Sequence, residues 1–136
     1  MLPEHLLLEM QKKKPRKVPL YECDEFINDY RNPVPIERIE LPSVVRAEFA
    51  ILMPDDSMWP DYDEKDILFI SRFSQNRHLP FLILYNDQTS VPRCNIRFVS
   101  EFKYNPEIEL LSKKESFFVD KEFVQILGRV VWRKNR

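Results

Sequence analysis

Short apolar runs separated by polar and proline-containing segments dominate the chain from residue 18 onward. Most of these runs are four to eight residues long and are bounded by Pro, Asn or Asp, a pattern typical of β-strands. No segment in this part of the chain keeps the apolar period of an amphipathic helix. The pattern therefore predicts a mostly β domain, with strands at residues 38–41, 48–53, 66–71, 81–85, 95–102, 108–111 and 123–132.

Two segments differ from this pattern. Residues 1–17 form a basic tail or linker, in which residues 3–13 favour a short helix and Pro15 ends it, because proline lacks an amide donor. Residues 22–36 are polar, contain two prolines and show no clean period, so we expect an irregular surface loop there. The rest of the chain, residues 18–136, is long enough for one packed domain.

Charge and cysteine content exclude several classes of protein. The tail carries five basic and two acidic residues, a net charge of +3, whereas the remainder has a net charge of −4, which is a poor surface for phosphate backbones. The apolar stretch at residues 6–8 is far too short to span a membrane. Cys23 and Cys94 are too few and too far apart in sequence for a disulfide framework or a zinc site. We therefore expect a cytoplasmic protein without membrane, metal or cofactor.

A serine in an acidic turn raises the question of nucleophilic catalysis. Ser57 lies in the stretch DDSMWP, residues 55–60. A serine attacks a substrate only when a neighbouring base takes its proton. Without such a base, Ser57 is a turn residue whose hydroxyl satisfies a backbone group.

The order of motifs from residue 18 to residue 134 resembles the carboxy-terminal domain of LexA-like repressors, UmuD and the cI-type phage repressors. The most specific matches are Ser57-Met58, Pro60, Asp66-Ile67-Leu68 and the closing ILGRVV at residues 126–131. The resemblance implies a fold of twisted antiparallel sheets, related to signal peptidases. It also implies an autoprotease, in which a neutral lysine takes the proton of Ser57 and the chain's own Ala-Gly or Cys-Gly bond is cut.

The chain departs from this family at the general base and at the cleavage site, both of which self-cleavage requires. The lysine is expected on the strand after the run FLILYN, and Pro92 stands at that position. Arg93 remains protonated and cannot act as a base, and Cys94 would be a nucleophile instead of a base. Lys103 could serve as the base only if the alignment with the family were shifted. Gly128 is the only glycine, so neither target bond exists. These losses predict that Ser57 is vestigial and that the chain is not an enzyme.

Two further departures lie beside Ser57. Asp55 and Lys65 occupy positions where the family usually has glycine. A carboxylate two residues from the serine disfavours the negative charge that develops in acyl transfer.

The resemblance also implies a homodimer in which the final strand pairs with its copy about a two-fold axis. The last apolar run, residues 124–132, would supply an exposed edge, with Val130, Val131 and Trp132 in the interface. Such a domain would dimerise a transcriptional regulator or phage-type repressor that reaches DNA through an N-terminal helix-turn-helix domain, which these 136 residues do not contain. Two alternatives remain open: an active serine peptidase that uses Ser57 with another lysine, and a stand-alone protein that forms mixed dimers with a LexA-like repressor.

Overall fold

A computed structural model of the protein describes residues 16–87, 89–101 and 104–135. Strands make up most of the regular structure in these residues, with one short helix, α1 (Cys23–Asp29), and one 3₁₀ turn (Lys121–Phe123). The strands are β1 (Lys17–Glu22), β2 (Glu37–Glu40), β3 (Phe49–Leu52), β4 (Ile67–Ser71), β5 (Phe81–Asn86), β6 (Pro92–Glu101), β7 (Glu107–Leu111), β8 (Ser116–Asp120) and β9 (Val124–Lys134). The prediction of a mostly β protein is confirmed.

The strands form one nine-stranded sheet in the order β2-β1-β3-β4-β9-β5-β6-β7-β8. Neighbouring strands are antiparallel except for β1 and β3, which run parallel. The expected arrangement of several antiparallel sheets is corrected to a single sheet with one parallel pair. The parallel pair arises because α1 and β2 carry the chain back across the sheet before β3 begins.

Both faces of the sheet are buried in its central part, around β3 and β4, which explains why these strands read as continuous apolar runs. All five residues of β4 are buried. Because successive side chains point to opposite faces, Leu68 and Ile70 pack in one apolar cluster with Phe26 of α1, whereas Phe69 packs with Leu20 in a second cluster. A third cluster fills the space between β5, β7 and β8.

The structure corrects two parts of the strand assignment. Residues 23–29 form α1 instead of an irregular loop, because Cys23 and Phe26 lie one turn apart and bury against the sheet. A helix of seven residues is too short to show a sustained period. The list of predicted strands also omitted β1 and β8. The basic tail ends where β1 begins, and the helix predicted at residues 3–13 lies outside the described residues.

Gly128 marks the point at which β9 passes from pairing with β5 to pairing with β4. A methyl group added there would lie 2.5 Å from Ile70 Cγ2 and 3.0 Å from the carbonyl oxygen of Ser71. Because Ile70 is fully buried, its side chain has little room to move. The single glycine of the chain is therefore explained by close packing of two strands.

Candidate functional site

Ser57 lies in the loop that connects β3 to β4. Two backbone hydrogen bonds close this loop at its base: the amide of Met53 donates to the carbonyl of Asp66, and the amide of Lys65 donates to the carbonyl of Met53, each at 2.8 Å. The side chain of Met58 is fully buried in the core. Met58 therefore fixes the neighbouring Ser57 against the sheet.

Lys65 adopts a left-handed backbone conformation, with φ of 68°. This region is normally occupied by glycine, because a Cβ atom crowds the backbone there. The family resemblance expects glycine at this position. The loop has thus kept a conformation that suits glycine although the residue is lysine.

The hydroxyl of Ser57 is hydrogen-bonded to two charged side chains. It donates to Asp55 Oδ1 at 2.5 Å and accepts from Arg97 Nη1 at 2.8 Å. The backbone amide of Ser57 donates to the same Asp55 oxygen at 3.0 Å, and Asn95 Nδ2 donates to Asp55 Oδ2 at 2.8 Å. These four residues, Asp55, Ser57, Asn95 and Arg97, form what we call the Ser57 network.

Strand β6 brings Asn95 and Arg97 to Ser57. The two residues lie two positions apart, so their side chains share one face of the strand. Pro92 is an odd number of positions away from both and lies at the exposed start of β6. On the strand where a lysine was expected, the side chain that reaches Ser57 is that of Arg97 and not that of Pro92.

The network orders the serine hydroxyl without activating it. Arg97 is almost fully buried, and a guanidinium has no lone pair with which to accept a proton at physiological pH. Its second contact, from Nη1 to the carbonyl of Ile96 at 2.7 Å, fixes the orientation of the group. Arg97 can donate to the serine oxygen but cannot take the serine proton.

Asp55 is the only proton acceptor that contacts the serine hydroxyl among the described residues. Burial raises the pKa of Asp55, but hydrogen bonds from the hydroxyl and amide of Ser57 and from Asn95, with the positive charge of Arg97, outweigh it. The net pKa lies below the usual value for a carboxyl group. Such a carboxylate is a weak base, so proton transfer from Ser57 to Asp55 is strongly uphill.

Two lysines of the turn between β7 and β8 lie near the Ser57 loop, and both are engaged elsewhere. Lys113 Nζ pairs with Asp61 at 2.9 Å, and Lys114 Nζ pairs with Asp56 at 2.7 Å. The backbone amide of Lys113 donates to the carbonyl of Ser57 at 3.1 Å. Neither ammonium group contacts the serine hydroxyl, and Lys103 lies outside the described residues.

A cleft of about 410 Å³ opens beside the Ser57 network. Asp24 and Ile27 of α1 form one wall, and Asn95 and Arg97 of β6 belong to the other. The Nε atom of Arg97 is buried and has no hydrogen-bond partner among the described residues. The charged donor Arg97 therefore lines the cleft, next to a serine that has no general base.

The acidic stretch at residues 61–66 binds an arginine. Arg133 of β9 donates from Nε to Asp66 at 2.6 Å, from Nη2 to Asp63 at 3.1 Å and from Nη1 to the carbonyl of Asp61 at 2.9 Å. These bonds join the Ser57 loop to the end of the final strand. In the part of the chain that the structure describes, no group of three or more His, Cys, Asp or Glu side chains is arranged to hold a metal ion.

The three predicted interface residues differ in their surroundings. Val130 is buried in the core, Val131 packs partly against the second cluster, and the side chain of Trp132 is 46% exposed. β9 lies between β4 and β5 in the strand order, so the last apolar run is not an outermost strand, although each half of it pairs on one side only. Pairing with β5 involves residues 124–129, whereas pairing with β4 involves residues 129–134.

Sequence reasoning missed the partners of Ser57 and the proximity of the cysteines. Asn95 and Arg97 interrupt an apolar strand at alternate positions, and this spacing is a detectable sign of a polar face. Cys23 and Cys94 were judged too few and too far apart in sequence for a disulfide framework or a zinc site, yet both lie in the same buried apolar cluster. No local pattern connects residues in α1 and β6.

Comparisons of the chain with models of known protein families and with curated protein sequences give no match. Among the described residues, no helix is both long and apolar enough to cross a membrane.

Proposed function

We propose that the chain is a LexA-like domain that lacks peptidase activity and dimerises a transcriptional regulator or phage-type repressor. The observation that carries this proposal is the contact between Arg97 and Ser57. The resemblance expects a lysine to reach the serine from the strand after FLILYN, and an arginine does so from β6 at 2.8 Å. This contact supports a scaffold of the dyad type in which the base is replaced by a group that keeps its proton.

The segment where the resemblance places the cleavage site also argues against self-cleavage. In this chain that segment forms α1, in which Cys23 and Phe26 are buried. A helical peptide bond has its carbonyl directed along the helix and is shielded by the adjacent turns, so a nucleophile at Ser57 has no extended strand to attack. Gly128, the only glycine, lies within the strand pairing of β9.

The second half of β9 supports the proposed dimer. Residues 132–134 pair with β4 on one side, next to a register irregularity at Val131, and no strand of the described residues pairs with them on the other. This open side carries backbone donors and acceptors that a second copy can pair with across a two-fold axis. Trp132 supplies exposed apolar area there, whereas Val130 belongs to the core of the monomer.

DNA binding is not part of this proposal for the chain itself. In the proposed architecture, two helix-turn-helix domains joined to the N-terminal side would be spaced by the dimer. The same open half-strand would also serve the alternative of mixed dimers with a LexA-like repressor.

Sedimentation of the wild-type chain and two variants tests the dimer. We expect a dimer at micromolar concentration, and we expect Trp132→Glu to raise the dissociation constant at least tenfold, because the charge would be buried against an apolar partner. The matched control is Phe118→Glu, which changes an equally exposed aromatic residue (48%) on the edge strand β8.

A monomeric wild-type chain would contradict the homodimer. If the chain also formed a complex with a LexA-like repressor, the mixed-dimer alternative would replace it. Loss of the dimer in Phe118→Glu but not in Trp132→Glu would place the interface at β8 and remove β9 from it.

A further inference from the structure

The two cysteines of the chain meet at the contact between α1 and β6, although 71 positions separate them in sequence. Cys23 is the first residue of α1, and Cys94 lies on β6 opposite Leu84 of β5. Both are buried and belong to the same apolar cluster. Both thiols are free, and Cys94 is the main cause of the raised pKa of Cys23.

We propose that Cys23 and Cys94 form a reversible disulfide that locks α1 against β6. Both side chains are buried in one apolar cluster where α1 packs on β6, and the nearby Cys94 thiol raises the pKa of Cys23. A disulfide requires two Cβ atoms about 3.5–4.5 Å apart, so the bond needs a local approach of α1 to β6 and no rearrangement of the sheet.

The disulfide joins the two walls of the cleft beside Ser57. Asp24 and Ile27, the neighbours of Cys23 on α1, line one wall, and Asn95, the neighbour of Cys94, lines the other. In the reduced protein, α1 is held to β6 by the apolar packing of Phe26 and the cysteines. In the oxidised protein, a covalent bond fixes the distance between the walls, so the cleft loses its freedom to open.

Formation of a disulfide from two thiols requires a two-electron oxidant, and a peroxide is an oxidant of this class. Cys94 borders the cleft beside the Ser57 network and therefore meets the peroxide first. Its sulfur attacks one oxygen of the peroxide, the O–O bond breaks, and the departing hydroxide takes the thiol proton and leaves as water. Cys94 is then a sulfenic acid. The sulfur of Cys23 attacks the sulfur of Cys94, the S–O bond breaks, and a second water leaves with the Cys23 proton. Two thiols lose two electrons, and the peroxide gains them.

The surroundings of Cys23 disfavour its own reaction with the peroxide. The hydrogen bond with Cys94, followed by burial, raises the pKa of Cys23 well above its usual value. A thiol in this state is a poor first nucleophile. It remains protected until the sulfenic acid forms at its side.

Intact mass and peptide mapping of the full chain test the proposal. The reduced protein is treated with hydrogen peroxide under native conditions and then denatured in the presence of an alkylating reagent. Its intact mass is measured by mass spectrometry without a reducing agent. We expect a monomer lighter by two hydrogen atoms, without alkyl groups, that yields a Cys23–Cys94 linked peptide. Dithiothreitol should restore two alkylation sites.

Hydrogen exchange and thermal unfolding test the effect on α1. The amides of residues 23–29 should exchange more slowly in the oxidised protein, and Tm should rise, because the cross-link restricts the unfolded chain. Cys94→Ala, oxidised in parallel, should show neither change.

Three results would each overturn the proposal. They are alkylation of both thiols after peroxide treatment, a stable sulfenic or sulfinic acid on either cysteine, and a disulfide between two chains. The mapping uses the wild-type chain, so the result stands even if a cysteine variant folds poorly.

Discussion

At the residue scale, the decisive feature is how Ser57 is held. Its hydroxyl has one proton to donate and receives one hydrogen bond, and both are used within the network by Asp55 and Arg97. A buried hydroxyl whose proton and lone pair are both engaged is held in one orientation, although Arg97 Nε has no partner among the described residues. We interpret the network as a structural connection between the Ser57 loop and β6.

Replacing Arg97 tests this connection. We expect Arg97→Ala to lower the free energy of unfolding by about 2–3 kcal/mol, because it removes a charged donor from Ser57 and from a backbone carbonyl inside the protein. Urea denaturation measures the change. Arg93→Ala is the matched control on the same strand: its partner is Asp87 at 3.1 Å at the surface, so the loss should be much smaller. Equal losses in the two variants would contradict a structural role for the network.

The pH dependence of stability tests the charge state of Asp55. The folded pKa of Asp55 lies below its unfolded value, which is about 3.9, so ionised Asp55 stabilises the fold above that pH and its contribution is lost as the pH falls further. The stability difference between wild type and Asp55→Asn should therefore be largest near neutral pH and shrink below about pH 4. A constant difference, or one that grows in acid, would show that Asp55 is not ionised in the network. Asp87→Asn is measured beside it, because hydrogen bonds from Thr89 and Val91 also lower the pKa of Asp87.

At the element scale, local pattern predicts strands well where burial is continuous. β4 and β5 were predicted nearly to the residue, because apolar runs bounded by turn residues have few alternatives. α1 was missed because two buried side chains in seven residues do not define a period. β8 was missed because its pattern alternates weakly and Phe118 is exposed.

The path of β9 depends on Gly128. We expect Gly128→Ala to lower the free energy of unfolding by about 1–3 kcal/mol, since a methyl group would overlap Ile70 and the backbone of Ser71 and force β9 away from β4. Thermal or urea unfolding measures the loss. Gln125→Ala, an exposed position on the same strand, should change stability little. An unchanged Gly128→Ala variant would contradict the close approach of the two strands.

At the scale of the whole molecule, strand order and side-chain partners could not be read from the sequence. The last apolar run was expected at an edge, but the chain returns to the middle of the sheet and inserts β9 between β4 and β5. Similarly, Arg97 reaches Ser57 across 40 positions, a distance in sequence that no local period reports. The motifs single out Ser57, and the fold was needed to identify its neighbour Arg97.

Labelling with a fluorophosphonate tests whether Ser57 lacks a general base. The wild-type chain and Ser57→Ala are incubated with the reagent from pH 7 to about pH 10 and weighed intact, with an active serine hydrolase in the same buffers to show that the reagent works. We expect no adduct on either chain at any pH, because neither Arg97 nor Asp55 can take the serine proton. An adduct on the wild-type chain that is absent from Ser57→Ala would contradict the claim and show that Ser57 is a working nucleophile.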